Sequence, residues 1–275
     1  MIRRIKRMRA YLPFTKCRWQ QKIMYRFNFF MTLVGQVIKC LIALFLWKAV
    51  FDNSSSSVIN GFSVTEMMVY IFMSSITLNM TANSTDANIS YEVRDGKIGL
   101  DMIKPISMHC KLFFDALADF VSGTLFTAFP MWIGMIVAIY IINKDLSINI
   151  LNFVLFIMSA FMGFVVLYLF NFCFGILSFF VTNIWGIRNL KYSIINFLSG
   201  SVIPLAFFPD LARRILELFP FASINYTPVM IYLGKVEGIG LVKIFGIQIV
   251  WIIILYFMSH LLWNKATNHL TMLGG

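Results

Sequence analysis

Few side chains in this sequence have the types and spacing that chemistry needs. Asp115 and Asp119 stand four residues apart, so on a helix their carboxylates would share one face and could form a proton-transferring pair. The alternative is that both stabilise the positive amino end of a helix. The four cysteines and three histidines lack the spacing of metal ligands, and no metal site is predicted.

The sequence also lacks the motifs of ATP hydrolysis and of common hydrolases. Gly96-Lys97-Ile98 and Gly234-Lys235-Val236 have neither the glycine spacing nor the hydroxyl of a phosphate-binding loop. H-E-x-x-H and G-x-S-x-G do not occur. The chain is therefore predicted not to be an enzyme. The alternative is a membrane-embedded lipid-modifying enzyme or protease, which would need converging His, Asp or Glu at the bilayer midplane.

The composition predicts that lipid surrounds most of the chain. Of 275 residues, 59% are hydrophobic and 13% charged, whereas a soluble domain has about 25% charged residues. A water-soluble surface cannot be covered with so few charges. The net charge is +11, from 23 Lys and Arg against 12 Asp and Glu. In a membrane protein such an excess bears first on topology.

Residues 1–26 form a basic arm with nine bases and no acid. The rest of the chain has a net charge of only +2, so nucleic acid is not a predicted partner. Apolar and aromatic residues interleave with the bases, which favours an interfacial helix on anionic membrane lipids; an unstructured cytoplasmic tail is the alternative. The apolar run that follows spans ~24 residues, too long for a signal peptide, so we expect the arm to be retained.

Six apolar stretches are long enough to cross a hydrocarbon core about 30 Å thick. They are residues 27–50, 65–86, 112–142, 149–182, 190–208 and 241–264. The second is rich in Ser, Thr and Asn, so we expect it to turn toward a partner or a transport pathway, which Asn79 and Asn83 would line. Lys39, near the centre of the first, is expected to face the bundle or a wet cavity, with snorkelling as the alternative.

The distribution of bases predicts that both termini are cytoplasmic. With the amino end inside, residues 1–26, 87–111, 183–189 and 265–275 are cytoplasmic and carry 15 bases, whereas the outer loops carry four. No internal repeat or linker divides the chain. Residues 1–275 are therefore predicted to form one all-α transmembrane domain.

The inner loop 87–111 mixes charges of both signs with apolar residues. This pattern predicts a short amphipathic helix that ends at Pro105. Its composition favours a docking surface, and the alternative is a solvated loop held by local ion pairs.

The outer segment 209–232 follows Pro204 and contains three further prolines between apolar runs too short to cross a bilayer. This pattern is typical of helices that enter the outer face and turn back. Arg213 and Arg214 could meet lipid phosphates there or be solvated.

Both segments resemble the permease subunits of type-2 ATP-binding-cassette (ABC-2) exporters. The inner motif is Glu92-Val93-Arg94-x-Gly96-x-Ile98-x-x-Asp101-x-x-Lys104-Pro105. The outer motif is Ser199-Gly200-x-x-Ile203-Pro204-Leu205-x-x-Phe208-Pro209, followed by Pro220-Phe221, Tyr226 and Pro228. The resemblance covers nearly the whole chain and is narrowest to the branch with paired permeases and a separate ATPase, related to drug and viologen exporters.

The resemblance implies six transmembrane helices, an N-terminal interfacial helix, a cytoplasmic coupling helix and a re-entrant outer hairpin before the last span. Its implied partners, besides membrane lipids, are ABC ATPase subunits and a second permease, expected to be a non-identical homologue. ATP and magnesium would bind to the ATPase, so no cofactor is expected on this chain. Closure of the ATPases would tilt the spans and move substrate outward across the cell membrane.

The resemblance also assigns roles to residues. The ATPase-coupling residues are expected to be Glu92, Arg94, Asp95, Gly96, Ile98, Asp101, Lys104 and Pro105. The residues of the re-entrant outer gate are expected to be Pro204, Phe208, Pro209, Pro220, Phe221, Tyr226 and Pro228.

The alternative function is an accessory membrane subunit that stabilises a transporter without lining its path. An importer is disfavoured because the inner loop lacks the E-A-A-x-x-x-G pattern.

Overall fold

The computed structural model of the chain describes residues 11–24, 26–103, 106–143, 149–181 and 184–273. These residues are mostly helical, which confirms the predicted all-α class. Within them, a short hairpin pairs β1 (Val58–Ile59) with β2 (Phe62–Ser63) across Asn60 and Gly61, which both have positive φ. Asn-Gly is the preferred sequence for such a two-residue turn.

The α-helices of the described residues are, in chain order, α1 (Leu12–Met24), α2 (Arg26–Asp52), α3 (Val64–Thr81), α4 (Thr85–Arg94), α5 (Lys97–Ile103), α6 (Met108–Gly123), α7 (Phe129–Asn143), α8 (Ile150–Gly175), α9 (Trp185–Leu198), α10 (Asp210–Leu218), α11 (Tyr226–Tyr232) and α12 (Ile239–Leu273). Helix α6 passes into α7 through a π-helical turn at Thr124–Ala128. Short 3-10 turns lie at Ile176–Phe179, Leu205–Phe207 and Ala222–Ile224.

Four helical stretches are long and apolar enough to cross a membrane: Phe29–Asp52, Met108–Ile141, Ile150–Phe179 and Ile239–Asn268. They coincide with the first, third, fourth and sixth predicted spans. The first and last of them leave most of their apolar side chains exposed on this single chain. Lipid or other membrane helices must cover those faces, because water would not tolerate so large an apolar surface.

The second and fifth predicted spans coincide with shorter helices. Helix α3 has 18 residues and α9 has 14, so at 1.5 Å per residue α9 is roughly 21 Å long, less than the hydrocarbon core. The predicted bounds 190–208 are wrong, because α9 begins at Trp185 and ends at Leu198. A turn at Ser199 and Gly200 ends the helix, and Gly200 takes a φ of 75° that a side chain would strain.

Two apolar cores hold the helices together. One surrounds α3, whose buried Tyr70 and Met73 pack with side chains of α7, α8 and the segment 205–229. The other surrounds α8, where Phe164 and Phe172 pack with side chains of α4, α6 and α12. Helices α3 and α8 are therefore the central elements, while α2, α9 and α12 lie at the periphery.

Helix α1 lies along α6. Lys22 Nζ is 2.6 Å from a carboxylate oxygen of Asp119 and donates a hydrogen bond to Ser122 Oγ (3.1 Å), while Arg18 lies 3.7 Å from the same Asp119 oxygen. Because Asp119 is buried, these bases provide charge compensation that it needs. The predicted helix in the arm is present, but two of its bases, Arg18 and Lys22, contact Asp119 on α6. Residues 1–10 of the arm lie outside the described residues.

This arrangement corrects one expectation for the two acids of the third span. Helix α6 begins at Met108, so Asp115 and Asp119 lie beyond its first turn. The helix dipole acts only within that turn, so stabilisation of the amino end does not explain these acids. Asp119 is neutralised by α1 instead.

Candidate functional site

The inner loop folds as α4 and α5, joined by a tight turn at Gly96. Gly96 takes a φ of 71°, and nothing lies within 4 Å of the point where a Cβ would be. Glycine is therefore needed for the backbone conformation of the turn and not for a close approach. Arg94, Asp95 and Lys97 beside it are exposed. We call residues 85–103 the coupling segment, after the role that the sequence predicts for it.

The free surface of the coupling segment combines apolar and charged side chains. Leu100 and Ile103 are 64% and 83% exposed, and the Arg94 guanidinium lies over the ring of Tyr91 at 5.1 Å. Exposed apolar side chains framed by charges are typical of a protein-binding surface. The predicted coupling residues Lys104 and Pro105 lie outside the described residues.

Three other predicted coupling residues face the body of the protein. Lys111 on α6 donates hydrogen bonds to Glu92 Oε1 (2.8 Å) and to Asp101 Oδ2, so it joins α4 and α5 to the start of the third span. The side chains of this triad are only 11–20% exposed. Ile98 is buried. Glu92, Ile98 and Asp101 therefore fix the position of the coupling segment, and its exposed residues remain available to a partner.

A second, more deeply buried ion pair joins the coupling segment to α9. Lys191 Nζ lies 2.7 Å from Asp86 Oδ2, and the two side chains are 9% and 6% exposed. Asp86 lies in the first turn of α4, where a carboxylate is favoured by the helix dipole. The ammonium group also lies 4.7 Å from the centre of the Phe174 ring. The pair therefore fixes α9 to the base of the coupling segment.

Two asparagines extend this pair into a buried polar network. Lys191 donates to Asn171 Oδ1 (2.6 Å), and Asn171 Nδ2 donates to Asn83 Oδ1 (3.1 Å). The network spans the connection between α3 and α4, the end of α8 and the middle of α9. It borders a cavity of about 310 Å³ that Asn83, Asp86 and Asn171 help to line. Asn83, predicted to line a pathway, is thus part of a structural network.

Two polar side chains of α3, Tyr70 and Ser74, face the irregular backbone that follows α9. Tyr70 Oη donates to the carbonyl oxygen of Gly200 (2.5 Å), and Ser74 Oγ lies 3.5 Å from that of Ser201. Asn225 Nδ2 in turn donates to Ser74 Oγ (2.8 Å). Backbone groups at membrane depth must find partners within the protein. This broken backbone therefore explains Tyr70 and Ser74. Thr77, Asn79 and Thr81 instead donate to carbonyl oxygens of their own helix.

We call residues 199–232 the hairpin; they include the predicted re-entrant segment 209–232 and the turn that follows α9. The backbone of segment 209–232 is tied to the turn after α9 by the Tyr226 amide, which donates to the Ser199 carbonyl (3.0 Å). Pro204, Pro220, Pro228 and Tyr226 are buried, Phe208 and Phe221 are partly buried, and Pro209 is exposed just before α10. Most of the predicted gate residues are thus packing residues of the hairpin.

A buried glutamine fixes the hairpin to two long helices. Gln248 on α12 donates to the Ser159 carbonyl on α8 (3.2 Å) and to the Ser223 carbonyl in the hairpin (3.2 Å). Gly163 on α8 brings the two backbones together, because a Cβ built there would lie 2.5 Å from the Ser223 oxygen. The hairpin is therefore held at a fixed height against α8.

The two remaining predicted pathway residues lie in different surroundings. Lys39 is exposed on α2, so within this chain it does not face the bundle as expected. Asn79 lies near the carboxyl end of α3 and lines a cavity of about 580 Å³, together with Arg18, Lys22 and Asp119. Asn79 thus remains accessible from a polar cavity, whereas Lys39 points away from the rest of the chain.

A comparison with protein-family models matches residues 37–274 to the ABC-2 family transporter protein. The chain belongs to the ABC-2 transporter family. No protein in a curated collection matches it. Family membership makes the chain a multi-pass membrane component of a transporter, and ABC-2 permeases generally work with ATPase subunits.

Sequence reasoning did not find the two ion-pair networks of this ABC-2 protein. Asp86 and Lys191 both lie within predicted spans, yet neither was assigned a role; opposite charges in two apolar segments are a signal for such a pair. Lys111 gave no local signal, because its partners are 10 and 19 residues away. Composition and motif predict the exposed residues of the loop, in contrast, as candidates for coupling.

Proposed function

We propose that this ABC-2 protein is the permease subunit of an ATP-driven exporter, with six spans, both termini in the cytoplasm and a separate ATPase. The observation that carries the proposal is the coupling segment, which presents Arg94, Leu100 and Ile103 on a surface without a partner helix among the described residues. The segment is at the same time fixed to α6 and α9 by ion pairs. A partner bound there would therefore act on both helices.

The proposed mechanism follows from those two attachments. ATP and magnesium bind to the ATPase, and closure of the ATPases displaces the coupling segment. Lys111 transmits the displacement to α6, and the buried pair of Asp86 and Lys191 transmits it to α9. Because α9 leads directly into the fixed hairpin 199–232, its tilt would open the outer end and release substrate outward.

Lys39 supports the proposal that a second permease completes the transport path. A lysine near the centre of an apolar helix is costly against lipid, and Lys39 is exposed on this chain. A second membrane subunit facing α2 would remove it from lipid and place it in a polar path. We propose that this subunit is a non-identical homologue.

We predict that Arg94→Glu combined with Leu100→Asp lowers the amount of co-purified ATPase by about tenfold or more. The exposed side chains of the coupling segment would lose charge complementarity and apolar contact with the ATPase, and a tenfold loss corresponds to about 1.4 kcal/mol. The measurement is quantitative mass spectrometry of the affinity-purified chain from its native membrane. Lys265→Glu, at an exposed base of α12, is the matched control.

An unchanged yield of ATPase with the double variant would contradict the docking surface. Native chain that purifies without any ATPase would favour an independent membrane protein, and ATPase with a sister permease would support the proposal. Asp101→Arg is a poorer test of docking, because it also breaks the contact with Lys111.

Native cysteines test the proposed topology without any substitution. Cys17 and Cys110 are exposed and lie on the proposed cytoplasmic side, while Cys40 and Cys173 are buried. A membrane-impermeant maleimide should leave the chain unlabelled in intact cells and label it after permeabilisation. Ser55→Cys in the exposed outer loop is the positive control and should react in intact cells. Labelling of the native chain in intact cells would overturn the topology.

A further inference from the structure

A third cavity, of about 620 Å³, lies beside the β1–β2 hairpin. It is formed by the β1–β2 hairpin, α10, α11 and the first turns of α12. Four bases line it, Arg213, Arg214, Lys235 and Lys243, against the single acid Glu217. The cavity is therefore more positive than its surroundings and would attract an anion.

Two of these bases are already paired. Arg213 lies 3.1 Å from Asp210, and Lys235 lies 2.7 Å from Glu66 and donates to the Gly61 carbonyl (2.7 Å). These contacts bring the cavity walls together and leave those two side chains little freedom. Arg213 and Lys235 are therefore part of the cavity wall and not the main hydrogen-bond donors to a bound anion.

The other two bases have no acidic partner within the described part of the chain. Arg214 and Lys243 are both exposed, and each lines the same cavity. Lys243 comes from the first turns of α12 and Arg214 from the middle of α10. Two charges on separate elements that border one cavity are suited to a shared anionic ligand, and an arginine can bind two phosphate oxygens at once.

Much of the remaining lining is apolar, beside the polar Asn60 and Thr227, and this favours an anion that carries an apolar part. Ile244, Ile247 and Met230 contribute aliphatic side chains to the wall. Helix α10 also exposes Leu211 and Ile215, so that its apolar face can enter the membrane surface. A free inorganic anion would leave this apolar surface in water, whereas an amphiphile would cover it.

We propose that this cavity binds the headgroup of an anionic phospholipid from the outer leaflet, with Arg214 and Lys243 contacting the phosphate and the apolar wall contacting the glycerol and acyl region. The assignment of the leaflet rests on the proposed topology. The binding itself depends only on the cavity. Such a lipid would hold the outer hairpin and the start of α12 at the depth of the headgroups.

The test measures lipid binding to the full chain, purified with its native partners in detergent, by native mass spectrometry. The probes are phosphatidylglycerol, phosphatidylcholine and inorganic phosphate, each titrated separately. We expect phosphatidylglycerol to bind with higher affinity than the other two. Arg214→Ala and Lys243→Ala should each weaken its binding by about fivefold, and the double variant by about twenty-five-fold.

Lys48→Ala is the matched control, since Lys48 is an exposed base on α2 that does not line this cavity. It should leave lipid binding unchanged. Equal binding of phosphatidylglycerol and phosphatidylcholine, or equal binding by the double variant and the native chain, would overturn the proposal. Binding of inorganic phosphate as tightly as phosphatidylglycerol would show a simple anion site and would also overturn it.

Failure of the lipid site and failure of the transport proposal give different results. If Lys243→Cys reacts with an impermeant maleimide only after permeabilisation, the topology is wrong while lipid binding can persist. If the ATPase does not co-purify, the exporter proposal is wrong, but lipid binding at the cavity is unaffected. Loss of lipid binding alone leaves both intact.

Discussion

Replacing Lys191 with methionine should destabilise the protein by about 3–5 kcal/mol, one of the two largest effects expected of a single substitution here. The change leaves Asp86 almost fully buried without its counter-charge, because Lys191 is its ion-pair partner at 2.7 Å. It also removes a donor from Asn171. The cost is therefore mainly that of an unpaired buried carboxylate and not of a lost contact.

The reactivity of Cys40 and Cys173 gives the measurement, after the exposed Cys17 and Cys110 have been blocked with an unlabelled maleimide. Both remaining thiols are buried in the folded chain and react with a fluorogenic maleimide only on thermal unfolding. The midpoint should fall by roughly 10 °C for Lys191→Met. The double variant Asp86→Leu, Lys191→Met removes both charges and should recover most of the loss. A single variant as stable as the native chain would show that the pair does not hold α4 to α9.

The same double variant separates folding from coupling. It should assemble with the ATPase through the unchanged coupling surface, yet lack the polar connection between that segment and α9. We therefore expect the purified complex to retain its ATPase subunits while ATP hydrolysis becomes less sensitive to permease substitutions in α9. The pair thus has a proposed role in transmission in addition to its role in stability.

The long spans could be predicted because length and apolar composition are local properties. The end of α9 at Leu198 could not, because Ser199–Ser201 read as a continuation of an apolar run. The carbonyl groups of Gly200 and Ser201 face Tyr70 and Ser74, more than 120 positions earlier in the chain, and the Ser199 carbonyl accepts from the Tyr226 amide. The polarity of α3 was visible, but its partner was not.

The predicted coupling residues show the same contrast between local properties, which the sequence reveals, and long-range contacts, which it does not. The sequence indicates that residues 92–101 are charged and amphipathic, but Lys111 decides which acids turn inward. Glu92 and Asp101 are engaged by that lysine, whereas Arg94 stays exposed. A motif therefore predicts the segment, and only the fold assigns its faces.

Gly163→Ala is the second substitution with a large expected effect, since it adds a methyl group where two backbones meet. The new Cβ would lie 2.5 Å from the Ser223 oxygen and 3.2 Å from the Ile224 Cα. Both atoms belong to the buried turn of the hairpin, and Gln248 holds the Ser223 carbonyl in place. Neither backbone can yield cheaply, so we expect a loss of about 2–3 kcal/mol or more.

Alanine is a better helix former than glycine, so the substitution also stabilises α8 by about 1 kcal/mol. This gain opposes the loss from the steric clash. Gly246→Ala on α12 isolates that gain, as nothing lies within 4 Å of its built Cβ. In the same thiol-reactivity assay the Gly246 variant should be as stable as the native chain or more so, and the Gly163 variant less stable. Equal midpoints for the two variants would mean that the hairpin moves freely against α8. A selective loss at Gly163 would instead mean that close packing against α8 fixes the hairpin in place.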